Sequence, residues 1–470
     1  MLVMAVSARL WLQSPLKLTE FEFDFFLGLF HSADRVQAAP WLLWGRLIHF
    51  GALLALGLLY LALVHRLWRA PPAGPARRLA WHVAGLALVF AAGMPWVSPD
   101  AFYYIGTGWL EAHYGLNPYQ QTMKALSGFA ADPMFANIYP TFLGGITPYG
   151  PLFQKLAAGV AWLSGGNEKL ALALFKVVFL AAHAGACVLV YQLAPRAWRH
   201  VALVAYGANP IILFSVLTCA HNDHLTNVAV LGALCLLRRQ SVLAAGAALG
   251  VAFSFKYFPV IYLPAFLLVA WAQASQRMAP GAWRDSARLL AGFLLVALAA
   301  QLLYPGSVDK FTRMAGSGFD IYRNSIHHLL QLLGPGAELA RPELGRFLQH
   351  LFIGAYPLLL LAFWRRIRAV PFEAGVQLCL VTTLSYFLLV NASNQEWYLT
   401  WLIGLAIIQP PGAAWRLALR LSAFFLPLVI FTVKGPPEMV LLANAALYLL
   451  LLALGLYYLG QVRKDMPLAA

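Results

Sequence analysis

Apolar runs of about 17–25 residues, the length that crosses a bilayer's hydrocarbon core, recur from one end of this 470-residue chain to the other. Candidate spans are 47–67, 79–97, 169–193, 200–218, 224–237, 241–256, 258–273, 288–304, 347–364, 370–390, 397–411, 417–433 and 438–460. Apolar residues make up 61% of the chain and charged residues 11%, against roughly 25% charged in a soluble domain. Lipid is therefore the main solvent. The reading is an all-α, polytopic transmembrane protein of about thirteen spans. The runs 224–237, 241–256 and 258–273 are short for a full crossing, so tilted or broken helices are expected there.

The net charge of +15 is placed by topology. Basic residues fill the short breaks between apolar runs: Arg66/Arg69/Arg77/Arg78, Arg196/Arg199, Arg238/Arg239, Arg277/Arg284, Arg365/Arg366/Arg368, Arg416 and Arg463/Lys464. These are the cytoplasmic stops of the positive-inside rule. They remove the nucleic-acid reading that so basic a soluble chain would invite. Cys187, Cys219, Cys235 and Cys379 show no CxxC spacing and imply neither a disulfide framework nor a zinc site. No charged n-region leads into an apolar h-region and cleavage site, so no cleavable signal peptide is expected.

Alternating sides from the basic stops puts the N-terminus outside and the C-terminus inside. Residues 1–46 then form an outer N-terminal segment, and 47–470 the transmembrane domain. Within 10–40, Phe21, Phe23, Phe25, Phe26 and Phe30 beside Glu20, Glu22 and Asp24 suit an interfacial helix. The connections 98–168, 219–223, 305–346, 391–396 and 434–437 face outward together. The 98–168 loop carries only Lys124 and Lys155 among its Lys and Arg, as a translocated loop should. Its length leaves room for interfacial helices. The two halves of the chain show no internal repeat, which argues against a secondary transporter.

Polar chemistry gathers on that outer edge. Asp100 follows Pro99 where the second span leaves the membrane, with Tyr103 and Tyr104 one turn on. A partly desolvated carboxylate there is a stronger base, suited to taking a proton from an acceptor hydroxyl as its oxygen attacks an anomeric carbon. The competing reading is structural: Asp is a favoured N-cap, here for a helix starting at Ala101.

With SPDAFYY (98–104), GLNPY (115–119), ITPYGPL (146–152) and HNDH (221–224) in this order, residues 95–400 resemble the GT-C superfamily of glycosyltransferases. They are most similar to bacterial polyprenol-phosphate-mannose-dependent α-mannosyltransferases and the related family 87 enzymes. The resemblance implies a GT-C-like multi-span fold, a polyprenyl-phosphate sugar donor, and Asp100 as base. Many GT-C members carry two acids in this loop, whereas this chain has Asp100-Ala101. No metal is implied.

Other residues join under this reading. Tyr103, Tyr104, Asn117, Tyr119, His221, Asn222 and Asp223 are candidate sugar or acceptor contacts; for His221–Asp223 a hydrogen-bonded turn is the alternative. Lys256, before the helix-breaking Pro259, is an intramembrane cation and so a functional candidate, with snorkelling to headgroups as its rival. Lys310, Arg313 and Arg323 oppose the topological trend and suit a donor phosphate. His327 and His328 are placed to assist the leaving phosphate, and headgroup binding is the alternative for this cluster. In NASNQEWYLTW (391–401), Glu396 and Trp397 are candidate sugar contacts, against an interfacial aromatic belt.

The sequence thus points to an inverting hexosyltransferase, with mannose one candidate sugar, in a prokaryotic inner membrane and with its site facing the periplasm. Its partners would be a polyprenyl-phosphate sugar, a lipid or glycan acceptor, and membrane lipids, with no nucleic acid. A lipid or sugar transporter or flippase, and a non-catalytic assembly subunit, are the alternatives.

Overall fold

The computed structural model describes residues 41–71, 74, 76–95, 98–140, 142–278, 281–309, 324–329, 341–433 and 437–465. The expected interfacial helix of residues 10–40 and most of the 305–346 loop lie outside them. The protein is an all-α, polytopic membrane protein, with no β-strand among the described residues.

Each expected span falls on helix, but the helices differ in reach. Among the described residues, six stretches are long and apolar enough to cross a bilayer: Phe50–Arg69, Glu168–Leu193, Phe258–Gln276, Glu343–Ala369, Pro371–Leu389 and Val440–Arg463. A bent pair, Arg199–Gly207 with Ile212–Thr218, adds a seventh if counted as one broken span. In chain order, α1 is Trp41–Arg69, α2 Ala76–Ala91, α3 Asp100–Ala112, α4 Pro151–Ser164, α5 Glu168–Leu193 and α6 Arg199–Gly207. Next come α7 (Asp223–Arg238), α8 (Val242–Phe255), α9 (Leu263–Gln276) and α10 (Trp283–Gln301). The last five are α11 (Arg341–Ala369), α12 (Pro371–Leu389), α13 (Leu399–Ile407), α14 (Ala413–Val433) and α15 (Pro437–Asp465). The 16 residues of α7 and 14 of α8 reach only about 21–24 Å at 1.5 Å per residue, below a core of ~30 Å.

These short helices pack where side chains are smallest. A Cβ on Gly246 of α8 would strike the carbonyl of Leu289, and one on Gly292 of α10 would strike that of Leu243. The two backbones touch directly, as small residues permit in lipid.

The break after α6 has an identifiable cause. Pro210 cannot continue the α6 hydrogen-bond ladder, and the chain restarts at 52° as a π-helix, Ile212–Thr218. Asn209 pins the corner. Its Oδ1 accepts from the amides of Ile211 (3.0 Å) and Ile212 (3.4 Å), while its Nδ2 donates to Tyr60 Oη (3.1 Å) and Ser422 Oγ (2.8 Å). Residues on α1 and α14 thereby fix the bend.

The basic breaks meet one another at one end of the bundle. Arg238 donates to the carbonyl of Leu193 (2.9 Å), Arg277 to Gln240 (2.7 Å), and Gln276 to the carbonyl of Arg368 (2.8 Å). The opposite end holds the long 98–168 connection. It is ordered by α3, α4 and three single turns of 3₁₀ helix between Met123 and Phe135.

Candidate active site

At the end away from the basic breaks, separate segments converge on Asp100. It is the first residue of α3, and the N-cap position belongs to Pro99. The expected cap for a helix starting at Ala101 is therefore corrected: helical geometry already includes Asp100. What remains of that alternative is a negative charge in the first turn, favourable to the helix dipole. The carboxylate approaches His221 Nδ1 at 3.5 Å, beyond ordinary hydrogen-bond range, and neither ring nitrogen has a hydrogen-bond partner among the described residues.

His221 is fully buried in the turn between the π-helix and α7, with its ring stacked on Trp397 at 3.8 Å between centroids. Burial, reinforced by the nearby Lys256 charge, pushes its pKa well below the usual imidazole value. His221 therefore faces Asp100 as a neutral ring, and the contact is not an ion pair.

The backbone that presents His221 is strained. A π-helix is a rare form that concentrates at functional sites, and this one closes with the amide of Cys219 bonded to the carbonyl of Phe214 (3.0 Å). Ala220 then takes φ +59°, a left-handed conformation costly for a residue with a Cβ.

Asn222 and Asp223 complete the turn. The amide of Asn222 donates to Tyr104 Oη at 3.4 Å, and Tyr104 Oη lies 3.5 Å from Asn222 Oδ1. The Asn222 Nδ2 is buried without a hydrogen-bond partner among the described residues. Asp223, 1% exposed, accepts from Lys256 Nζ at 2.7 Å. Lys256 also lies over the rings of Tyr398 (4.4 Å) and Trp401 (5.1 Å). Its place is set by Gly150, whose amide bonds to the carbonyl of Phe255 (3.0 Å), and whose missing Cβ leaves room for Ser254.

A web of asparagines delivers the Glu396–Tyr398 segment. Asn394 donates to the carbonyls of Asn324 (2.8 Å) and Phe387 (3.0 Å), and Asn324 donates back to the carbonyl of Asn394 (3.0 Å). Ser325 donates to the carbonyl of Ala392 (2.7 Å). The NSIHH segment is thus joined to the strip carrying Trp397, which stacks on His221. His327 and His328 are both buried, and Glu396 is 1% exposed.

Other candidate contact residues are tied into the long connection. Asn117 donates to the carbonyl of Pro305 (2.8 Å) and accepts from the amide of Tyr119 (2.9 Å), and Tyr119 Oη donates to the carbonyl of Tyr149 (2.6 Å). Both hold the long connection together. Tyr103 donates to the carbonyl of Gly145 (3.2 Å), and its ring packs on Phe142. Lys310, Arg313 and Arg323 lie outside the described residues.

Sequence reasoning passes over Lys176, Asn209 and Ala220. A lysine inside the apolar run 169–193 is the available signal for the first, and Asn-Pro inside an apolar run for the second. Nothing marks Ala220 in advance. Among the described residues no three His, Cys, Asp or Glu side chains assemble as a metal donor set. An apolar cavity of about 590 Å³ between α2 and α5 is lined in part by Arg77, His183 and Cys187 and by none of the residues around Asp100.

Residues 27–273 match the family model described as alpha-(1->6)-mannopyranosyltransferase, N-terminal domain. The chain belongs to this family. The match includes Asp100, His221–Asp223 and Lys256, and stops before the Trp397 strip. Alpha-(1->6)-mannopyranosyltransferase A of Corynebacterium glutamicum is 26% identical over 186 residues, covering 39% of this chain and 36% of that protein. The similarity thus reaches about a third of that mannopyranosyltransferase's length. No solved structure matches the chain. Membership in a mannopyranosyltransferase family accords with the GT-C resemblance of the motifs between Ser98 and His224.

Proposed function

We propose that this protein transfers mannose from a polyprenyl-phosphate donor to a hydroxyl of a lipid or glycan acceptor, with inversion at the anomeric carbon. The observation that carries the reading is Asp100, a carboxylate at a helix start that faces a neutral, buried imidazole. The family description and the name of the corynebacterial relative support mannose as the sugar.

The acceptor hydroxyl gives its proton to the Asp100 carboxylate while its oxygen bonds to the anomeric carbon. The bond from that carbon to the phosphate oxygen breaks, and its electron pair leaves with the polyprenyl phosphate. His221, held flat on Trp397, orients Asp100 without adding a competing positive charge. Asn222 Nδ2 offers a buried donor to a sugar hydroxyl. Lys256 has ammonium protons beyond the one given to Asp223 and supplies positive charge for the departing phosphate. Arg323, Lys310 and Arg313 join it in this proposal, on the sequence argument alone. The site faces the exterior of a prokaryotic inner membrane, since the basic breaks gather at the other end.

Purified protein given radiolabelled polyprenyl-phosphate mannose should transfer label to an acceptor, and should not do so from a nucleotide-linked mannose. Transfer from the nucleotide donor alone would overturn the donor assignment. In sealed cells a cysteine at Ser127 should react with an impermeant thiol reagent and one at Gly74 should not. Labelling at 74 from outside would invert the orientation.

A further inference from the structure

Lys176 lies along α5, inside a stretch apolar enough to span the bilayer, and is 8% exposed. An intramembrane cation is expensive and calls for a stated partner. Its partners are three carbonyl oxygens: Gly93 at 2.6 Å, Thr218 at 2.8 Å and Leu217 at 3.1 Å. An ammonium has three protons to donate, so the set is complete and no anion is needed.

The three acceptors belong to two chain segments. Gly93 follows the end of α2 and leads through Pro95 and Pro99 to Asp100. Leu217 and Thr218 end the π-helix and lead through Ala220 to His221. Carbonyls at a helix end have no amide partners within the helix, and a cation suits the negative end of the helix dipole. Thr218 Oγ1 adds a second tie, donating to the carbonyl of Phe90 at 2.9 Å. Lys176 therefore sits where the segment delivering Asp100 crosses the segment delivering His221.

We propose that Lys176 is a positioning residue that staples the end of α2 to the end of the π-helix and so sets Asp100 against His221. It touches neither substrate nor reacting atoms. The proposal rests on the reading of Asp100 as base only for its kinetic consequence, since the staple itself is geometric.

Methionine fills much of the volume of lysine without donors. In Lys176→Met, donor KM should stay near the original while kcat falls on the order of 100-fold, the usual cost of misplacing a reacting group by about 1 Å. Combined with Asp100→Asn, the second substitution should add little, because both remove the same contribution. Losses that multiply would show a fold-wide role and overturn the proposal. Protein yield and monodispersity in detergent establish that the variants fold. If Lys176→Met does not, Lys176→Gln, which keeps two donors, replaces it, with a smaller fall in kcat expected. A second readout needs no activity. In a Cys219→Ala background, which removes the neighbouring thiol, cysteines placed at positions 100 and 221 should be bridged readily by a short bifunctional thiol reagent while Lys176 is present. Adding Lys176→Met should make that bridge form markedly more slowly. Equal cross-linking with and without Lys176→Met would overturn the positioning role. An active Asp100→Asn enzyme, with cross-linking lost on Lys176→Met, would sink the base assignment and leave the staple standing.

Discussion

The two ends of α3 each carry a carboxylate, and the protein treats them differently. Glu111, in the last turn, pairs with Lys155 and accepts the hydroxyl of Tyr304, whose ring lies under the Lys155 ammonium at 4.3 Å. It is a clip between the long connection and the chain after α10. Asp100, in the first turn, meets a neutral imidazole set on a tryptophan by a strained turn. A carboxylate committed to an ammonium and a phenol is held for structure, whereas one facing a buried ring suits the base role proposed above for Asp100. Strain of this kind persists only where surrounding structure imposes it, and it concentrates at functional sites.

Substitutions can break this contrast. The largest expected effect is on transfer: Asp100→Asn should lose ~100-fold or more in turnover, the weight of general base catalysis. Next comes stability at the same end. Lys256→Met leaves Asp223 buried without its cation, and should cost about 3 kcal/mol, as broken buried pairs do; thermal unfolding in detergent reads it. Glu111→Gln keeps an acceptor for Tyr304 and removes only a half-exposed pair, so stability should fall by about 1 kcal/mol or less with transfer near normal. A large loss of transfer there would make Glu111 the base and reverse the comparison. Ala220→Gly should be the mildest, raising stability by up to about 1 kcal/mol as relief of the left-handed Cβ clash outweighs glycine's entropy. A fall in stability would show that Ala220 is not strained.

The fold class and the edge where chemistry gathers are legible because each rests on local signals. Apolar run length selects spanning helices, and basic breaks mark one end. Asp100, His221 and Lys256 stand out as polar groups at the boundaries of apolar runs. Their mutual arrangement is not legible, since the approach of Asp100 to His221 depends on a crossing between segments more than a hundred residues apart. The capping alternative for Asp100 is a fair inference from Asp after Pro, and fails because helical geometry begins at Asp100 itself. Span count also resists the sequence: the runs that become α7 and α8 already read as short for a crossing, and apolarity alone does not say whether helices of 16 and 14 residues span. Lys176 is visible as a lysine in an apolar run, yet its role is not, because its partners are backbone carbonyls and leave no trace in side-chain identity.

The most direct test of the account is turnover and stability for Asp100→Asn and Asp100→Ala, with donor binding followed by equilibrium titration. If Asp100 is the base, Asn, which retains its volume, should bind donor normally, unfold at nearly the original temperature and transfer at ~1% of the original rate or less. Near-normal transfer by Asp100→Asn, with both variants losing only the ~0.5 kcal/mol of a carboxylate at a helix N-terminus, would reduce Asp100 to a partner of the helix dipole and contradict the mechanism.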